Sequence, residues 1–290
     1  MLLKEIKYSF HNQLDELFGS DEVASFFFIV LEHLHQMKRV DLALQPDFSI
    51  DETQLTQWSE ILRELKKEKP IQYIIGTTEF YGLPFLVNEN TLIPRPETEE
   101  LVEWIVESSK LKNVTSDRDE IQILDIGTGT GCIPISLKKN IPIASVYAID
   151  VSEKALETAK KNAELNKVAI RFIETNILKL ESLEEIAAKF DVIVSNPPYV
   201  RNLEKEEIKK NVLEYEPHLA LFVEDDDALL FYRKIAILAK KGLKENGVLY
   251  FEINQYLGKE TVDLLVALGF QNIELKKDLY GNDRMICCTL

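Results

Sequence analysis

The chain has 290 residues, 46% hydrophobic and 29% charged, which suits one large α/β domain with a smaller companion and excludes disordered and fibrous classes. Against 34 basic side chains stand 49 acidic ones, a net charge of -15; neither residues 1–100 nor the remainder has the basic excess that neutralises a duplex, so no direct nucleic-acid partner is expected. Three cysteines without metal-ligand spacing, charges at Lys4, Glu5 and Lys7, and a longest apolar run of only Phe26 to Leu31 argue against structural zinc, a signal peptide and a membrane span, leaving a cytoplasmic protein, taken as monomeric, with no resident metal.

Residues 1–75 read as a helical domain. Leu55, Trp58, Ile61, Leu62 and Leu65 form one stripe at helical spacing, with Asp51 placed to cap its start and Pro70 beyond its Lys-rich end. Val23 to Leu34 is apolar nearly all round and reads as the central helix of a small bundle. Its Phe26-Phe27-Phe28 triplet is assigned to core packing, with a docking surface as the other reading.

Residues 76–91 switch to short strand-like pieces, Thr77 to Tyr81 and Pro84 to Val87, about a Gly82-Leu83 turn; they read as a β-hairpin linker. A third segment, 92–290, opens with the Pro-rich string Leu92 to Glu99, followed by a helix carrying Leu101, Val102, Ile105 and Val106 and a polar loop over Ser116 to Glu120.

From Ile121 onward, strands alternate with helices. Strands are expected at 122–126, 145–149, 170–174, 191–195, 247–253, 272–276 and 285–289, with helices at 132–139, 153–166, 228–241 and 258–268. Continuous apolar strands separated by helices predict a parallel sheet covered on both faces. The last two strands are too close in sequence for a helical crossover and must pair antiparallel. The fold class is therefore α/β, a Rossmann-like sheet, parallel with one antiparallel strand, plus a small N-terminal helical domain.

Asp125-Ile126-Gly127-Thr128-Gly129-Thr130-Gly131 ends the first strand of this sheet and opens a helix. Such a turn lets a ligand approach the main chain directly. The dinucleotide fingerprint needs its third glycine at 132, where Cys132 stands, so a neutral or cationic nucleoside suits the turn better than a pyrophosphate. Asp150, at the end of the next strand, is placed to accept from both ribose hydroxyls; its bland reading is a carboxylate ahead of the helix capped by Ser152. Asp125 could accept from the cationic amino-acid end of S-adenosylmethionine or simply brace the loop. Asn176 could read an adenine amine or cap a turn, with Ile177 packing on the ring. Asp225-Asp226-Asp227 is assigned to a solvated loop and cap rather than to a metal, and Cys132 to helix-start packing rather than redox chemistry.

The most informative string is Asn196-Pro197-Pro198-Tyr199, which follows the buried strand Asp191 to Ser195. Ligands of a doubly wound sheet bind beyond the carboxyl ends of its strands, so this tetrapeptide should face the crevice of the glycine turn. A conjugated NH2 is a poor nucleophile. Two acceptors on its two N-H bonds, the Asn196 side-chain oxygen and the Pro197 carbonyl, orient it and favour pyramidal character as positive charge develops. Tyr199 offers a flat face to hold the planar group, and displacement then needs mainly alignment.

Together with Pro70 to Gly76, Phe80-Tyr81-Gly82, Leu92 to Glu99 and Glu216-Pro217, these motifs resemble the HemK/PrmC family of N5-glutamine methyltransferases over nearly the whole chain. The resemblance implies a class I methyltransferase domain, S-adenosyl-L-methionine as donor with S-adenosyl-L-homocysteine as product, and the glutamine of a Gly-Gly-Gln loop in peptide chain release factors as acceptor. It also implies an N-terminal domain that helps grip the substrate. By it, Gly127 to Gly131, Asp150 and Asn196 contact the cofactor, Asn196 to Tyr199 bind the glutamine amide, and Pro94 to Glu97, with Arg95 and Glu97 as substrate contacts, lie at the mouth. Asn176 and Asn254 depart from residues common in relatives, Asp and Gly. The alternative acceptors are a ribosomal-protein glutamine and, against the charge, adenine N6 of nucleic acid.

Overall fold

The computed structural model describes residues 1–108, 121–187 and 189–290; the polar loop expected over Ser116 to Glu120 lies outside them. Its contacts divide the chain into two units, 1–76 with 209–215, and 77–208 with 216–290.

The first unit is all-helical. Leu3–Phe18, Ser20–His35 and Glu52–Leu65 are its long helices, with Arg39–Leu44 and Ile71–Ile75 between and after them. Asp51 caps Glu52–Leu65 by accepting from the Gln54 N-H, while Gln54 returns the bond to the Asp51 N-H, a reciprocal capping box. Phe10, Phe27 and Trp58 meet at the centre, with ring centroids 5.1 to 6.0 Å apart. Phe26 and Phe27 are buried and Phe28 packs beside them, so the triplet builds core. Pro70 caps Ile71–Ile75, starting a helix as well as ending one. The short helix Lys210–Tyr215 joins this unit from far along the chain: Lys210 pairs with Glu68 at 2.8 Å, and the Tyr215 hydroxyl donates to the Lys67 carbonyl at 2.9 Å. No periodicity in six residues announces that return.

The second unit begins with a hairpin, β1 Thr77–Phe80 and β2 Leu83–Leu86. Its two-residue turn is Tyr81-Gly82, one position earlier than the expected Gly82-Leu83. Both turn residues have positive φ, 51° and 69°, the backbone that matches the twist of paired strands. The hairpin packs on helix Glu153–Leu165 through Asn162 and Asn166, whose amides bond the main chain of Leu86 and Pro84.

The main strands are β3 Gln122–Ile126, β4 Ser145–Asp150, β5 Arg171–Glu174 and β6 Phe190–Ser195; after the short pair β7 Val200–Arg201 and β8 Phe222–Val223 come β9 Leu243–Glu252, β10 Gln271–Lys277 and β11 Asp283–Thr289. The seven-stranded sheet runs β5-β4-β3-β6-β9-β11-β10, parallel except for β11, which pairs antiparallel with both neighbours. Strand alternation serves two cores. Leu124, Ile193, Leu249 and Phe251 face helix Leu230–Gly242, while Ile123, Val192, Val194 and Tyr250 face helices Pro96–Glu107 and Cys132–Asn140. The chain leaves β3 toward β4 and β5, then returns to β6 on the other side, so the switch point of the sheet lies between β3 and β6.

Candidate active site

Two loops meet at that switch point. After β3, the Gly127 and Thr128 N-H groups donate to the Ile149 carbonyl at 2.9 and 3.1 Å, folding the glycine loop over the end of β4. Gly131 closes the loop with φ 80°, and a Cβ there would sit 3.1 Å from both the Ala159 and Ile135 side chains; only glycine gives both that backbone and that fit. The Asp150 carboxylate then straps the loop from below, accepting from the Gly129 and Ser152 N-H groups at 2.9 Å each. Ser152 itself caps the following helix by accepting from Ala155. Burial raises the Asp150 carboxyl above its ordinary range, against the pull of those N-H groups.

The loops enclose a cavity of about 240 Å³. Gly127, Thr128, Gly129, Thr130 and Asp150 line one part of it; Asn176 and Ile177 line another. Asn176 also accepts the Leu178 N-H at 2.9 Å, so it caps its turn while facing the cavity. Asn196, Pro197, Pro198 and Arg95 complete the wall from the β6 side. Four residues singled out from sequence stand outside the lining. Gly131 shapes the loop from behind. Glu97 is half-buried on the first turn of helix Pro96–Glu107. Tyr199 packs against the sheet core, its hydroxyl bonded to Glu252 and its carbonyl accepting from Asn254, rather than offering its ring to the cavity.

Asp125 is the fourth, and it is 0% exposed. Neither carboxylate oxygen, nor the neighbouring Thr128 hydroxyl, has a hydrogen-bond partner of good geometry among the described residues. Loss of solvent pushes this carboxyl up to about 7; Thr128 opposes the rise and the Asp150 charge adds to it. A buried carboxylate left without donors costs several kcal/mol unless something cationic or hydrogen-bonding compensates it. The donor set therefore fits a cationic ligand: two carboxylates, one orphaned, behind a glycine loop.

Sequence reasoning assigned no role to the residues that hold this arrangement. Thr98 is buried and donates to Glu252 at 2.6 Å. Asn196 Nδ2 donates to the same Thr98 hydroxyl at 3.3 Å, and the Tyr199 hydroxyl to Glu252 at 3.2 Å. Glu252, 1% exposed, has its carboxyl raised by burial, with Thr98, Arg284 and Tyr199 drawing it back and Glu97 pushing it further up. Glu216, also buried, accepts from Arg95 at 2.5 Å and from the Ile93 N-H at 3.2 Å, which fixes the Pro-rich segment against the cavity. Asn254 donates to the Tyr199 carbonyl and to buried Glu204, an account of why an amide stands there. Burial pushes the Cys132 thiol up to about 12, and Cys132 packs in the core beside Ile133 and Ile135. Asp225–Asp227 form a short 3-10 helix, in which Asp225 accepts the Leu203 N-H and Asp227 pairs with Arg233. No helix among the described residues is long and apolar enough to cross a membrane.

A seven-stranded sheet with a glycine loop and an Asn-Pro-Pro-Tyr turn at its switch point is the architecture of a methyltransferase. The Methyltransferase small domain matches residues 108–219, and the PrmC N-terminal domain matches residues 16–76. The chain is 64% identical to a release factor glutamine methyltransferase of Flavobacterium psychrophilum over 99% of its own length and 98% of the relative's, and 39% identical to one of Bacteroides thetaiotaomicron over 94% and 95%. It belongs to the release factor glutamine methyltransferase family. Among solved structures, the hMettl16 catalytic domain shares the fold, with TM-score 0.55 and 16% identity over 82% of each chain.

Proposed function

We propose that this chain transfers a methyl group from S-adenosyl-L-methionine to the side-chain amide nitrogen, N5, of the glutamine in the Gly-Gly-Gln motif of peptide chain release factors. The single observation that carries the reading is the placement of Asn196 and Pro197 on the wall of the cavity that the glycine loop bounds. When bound, the cofactor supplies an electrophilic methyl on a sulfonium.

The chain's own residues do the rest. Asp150 and the cavity-lining stretch Gly127 to Thr130 would hold the nucleoside; Asn176 and Ile177 would flank its base. Asp125 provides negative charge behind the wall, where a cation favours its ionised form. The Asn196 oxygen and the Pro197 carbonyl accept the two N-H bonds of the glutamine amide, drawing its lone pair out of conjugation and toward the methyl. Two prolines stiffen that turn, so little reorganisation accompanies the transfer. The methylated nitrogen is acidic and sheds its proton without a dedicated base. Arg95 is read as a substrate contact on the cavity wall and Glu97 as one at its mouth. The helical domain, residues 1–75 in the sequence reading, is read as the part that helps hold the protein substrate.

The test is methyl transfer from labelled S-adenosylmethionine to an unmodified release factor and to its Gly-Gly-Gln glutamine→alanine variant. Label in the first and none in the second supports the reading. Equal label in both overturns it, and label only in a ribosomal-protein fraction moves the acceptor there.

A further inference from the structure

Asn196 serves as an acceptor only if its amide is turned the right way, and a half-turn would offer the cavity two N-H groups instead. What fixes the turn lies 98 positions away, at Thr98. A hydroxyl has one proton to give. At 2.6 Å the Thr98 hydroxyl donates to Glu252 Oε2, which commits its one proton. Toward Asn196, therefore, the Thr98 oxygen can only receive, and Asn196 must present Nδ2 to it, as the 3.3 Å contact records. The Oδ1 arm of the same planar amide is then free for the cavity that Asn196 lines. The other carboxylate oxygen, Oε1, accepts from the Tyr199 hydroxyl at 3.2 Å, holding the last residue of the same tetrapeptide. Burial raises the Glu252 carboxyl, and Thr98, Arg284 and Tyr199 draw it back only in part; by geometry each of its two oxygens faces a hydroxyl donor, Thr98 on Oε2 and Tyr199 on Oε1.

We propose that Glu252 and Thr98 are positioning residues for methyl transfer: the buried carboxylate sets the polarity of Thr98, Thr98 sets the polarity of Asn196, and the site thereby presents an oxygen to the nitrogen being methylated. Glu252 touches neither substrate nor cofactor in this scheme, which rests on the function proposed above.

The relay predicts a pattern that packing alone does not. Thr98→Val keeps the shape and removes the hydroxyl; Thr98→Ser keeps the hydroxyl and removes the methyl; Glu252→Gln replaces one acceptor with a donor. With the full-length protein, a release factor and S-adenosylmethionine, Thr98→Val and Glu252→Gln lower kcat on the order of 10-fold to 100-fold, the scale of a lost transition-state contact. Cofactor Kd, by calorimetry, shifts less than about threefold, and Thr98→Ser stays within about threefold of the parent kcat. The second readout needs no turnover: the 15N-labelled Asn196 NH2 resonance, assigned by its loss in Asn196→Asp, moves in Thr98→Val and Glu252→Gln and returns in Thr98→Ser. An unmoved resonance, or parent-like kcat in Thr98→Val, overturns the relay, as does a Thr98→Ser variant as defective as Thr98→Val. Should the unsubstituted protein methylate no release factor, the functional reading fails on that result, while the amide resonance still decides the relay.

Discussion

Asn162 pairs with Leu86 as one strand pairs with another: its Oδ1 accepts the Leu86 N-H at 2.6 Å, and its Nδ2 donates to the Leu86 carbonyl at 2.9 Å. The same Nδ2 also donates to the Thr130 carbonyl at 2.9 Å. One fully buried amide on helix Glu153–Leu165 thus ties the hairpin to the glycine loop, so the geometry of the loop depends on a contact 32 residues away in sequence.

Asn162→Ala strips partners from the half-buried Leu86 N-H and carbonyl and from the Thr130 carbonyl at once. The loss should cost about 3 kcal/mol, the sum of several unmade buried bonds, and should weaken cofactor binding because Thr130 loses its anchor. Urea denaturation and calorimetric titration check both. A variant with parent stability and affinity would show that water replaces the amide at no cost.

Arg95→Ala leaves the Glu216 carboxylate, 1% exposed on its side chain, with the Ile93 N-H as its remaining partner among the described residues. Removing one partner of a buried pair is costly, but Arg95 keeps a third of its side chain in solvent, so the expected loss is about 2 kcal/mol. Arg95→Lys keeps the charge without the planar fork and should recover only part of it. Thermal unfolding reads both variants.

Asp125 gives a pH dependence of definite sign. Its folded carboxyl lies at about 7, raised from an ordinary 3.8, so between those values the folded state holds a proton that the unfolded chain has lost. Stability therefore falls as pH rises from 4 through 7, and the cost of the buried charge is fully present above 7. Asp125→Asn should melt a few degrees higher than the parent at pH 8 and much like it at pH 4. Binding of the sulfonium cofactor should run the other way, tightening between pH 6 and 8 in the parent and staying flat in Asp125→Asn. Parallel curves for the two proteins would remove Asp125 from the binding account.

These residues also mark how far a linear reading reaches. The sheet was legible because its central strands are buried on both faces and carry continuous apolar runs such as Val192 to Val194, with glycine-rich or proline-rich turns at their ends. The glycine loop and the Asn196 tetrapeptide were legible because contiguous residue types declare a backbone geometry. Thr98, Glu252, Glu216 and Asn162 were not. Thr98 and Glu216 lie in strings that carry the family resemblance, but the role of each of the four comes from a partner 32 to 154 positions distant, which only the closed fold supplies. Tyr199 was legible as part of a motif, yet the direction of its side chain was decided by Glu252 and Asn254, so the expected ring face does not line the cavity. The return of Lys210–Tyr215 to the helical unit was invisible for the same reason. Its partners, Glu68 and Lys67, are polar and far away in sequence, and polar pairs leave no hydrophobic period to read.

The central claim, that Asn196 activates the glutamine nitrogen of a release factor, is tested most directly by mass mapping of the methyl group after incubation with S-adenosylmethionine, for the parent and for Asn196→Ala. The account predicts a methyl on N5 of the Gly-Gly-Gln glutamine with the parent, at a rate that Asn196→Ala lowers by about 10² or more, while the variant still binds the cofactor. A methyl on that glutamine at an undiminished rate in Asn196→Ala, or a methyl carried by some other residue, would contradict it.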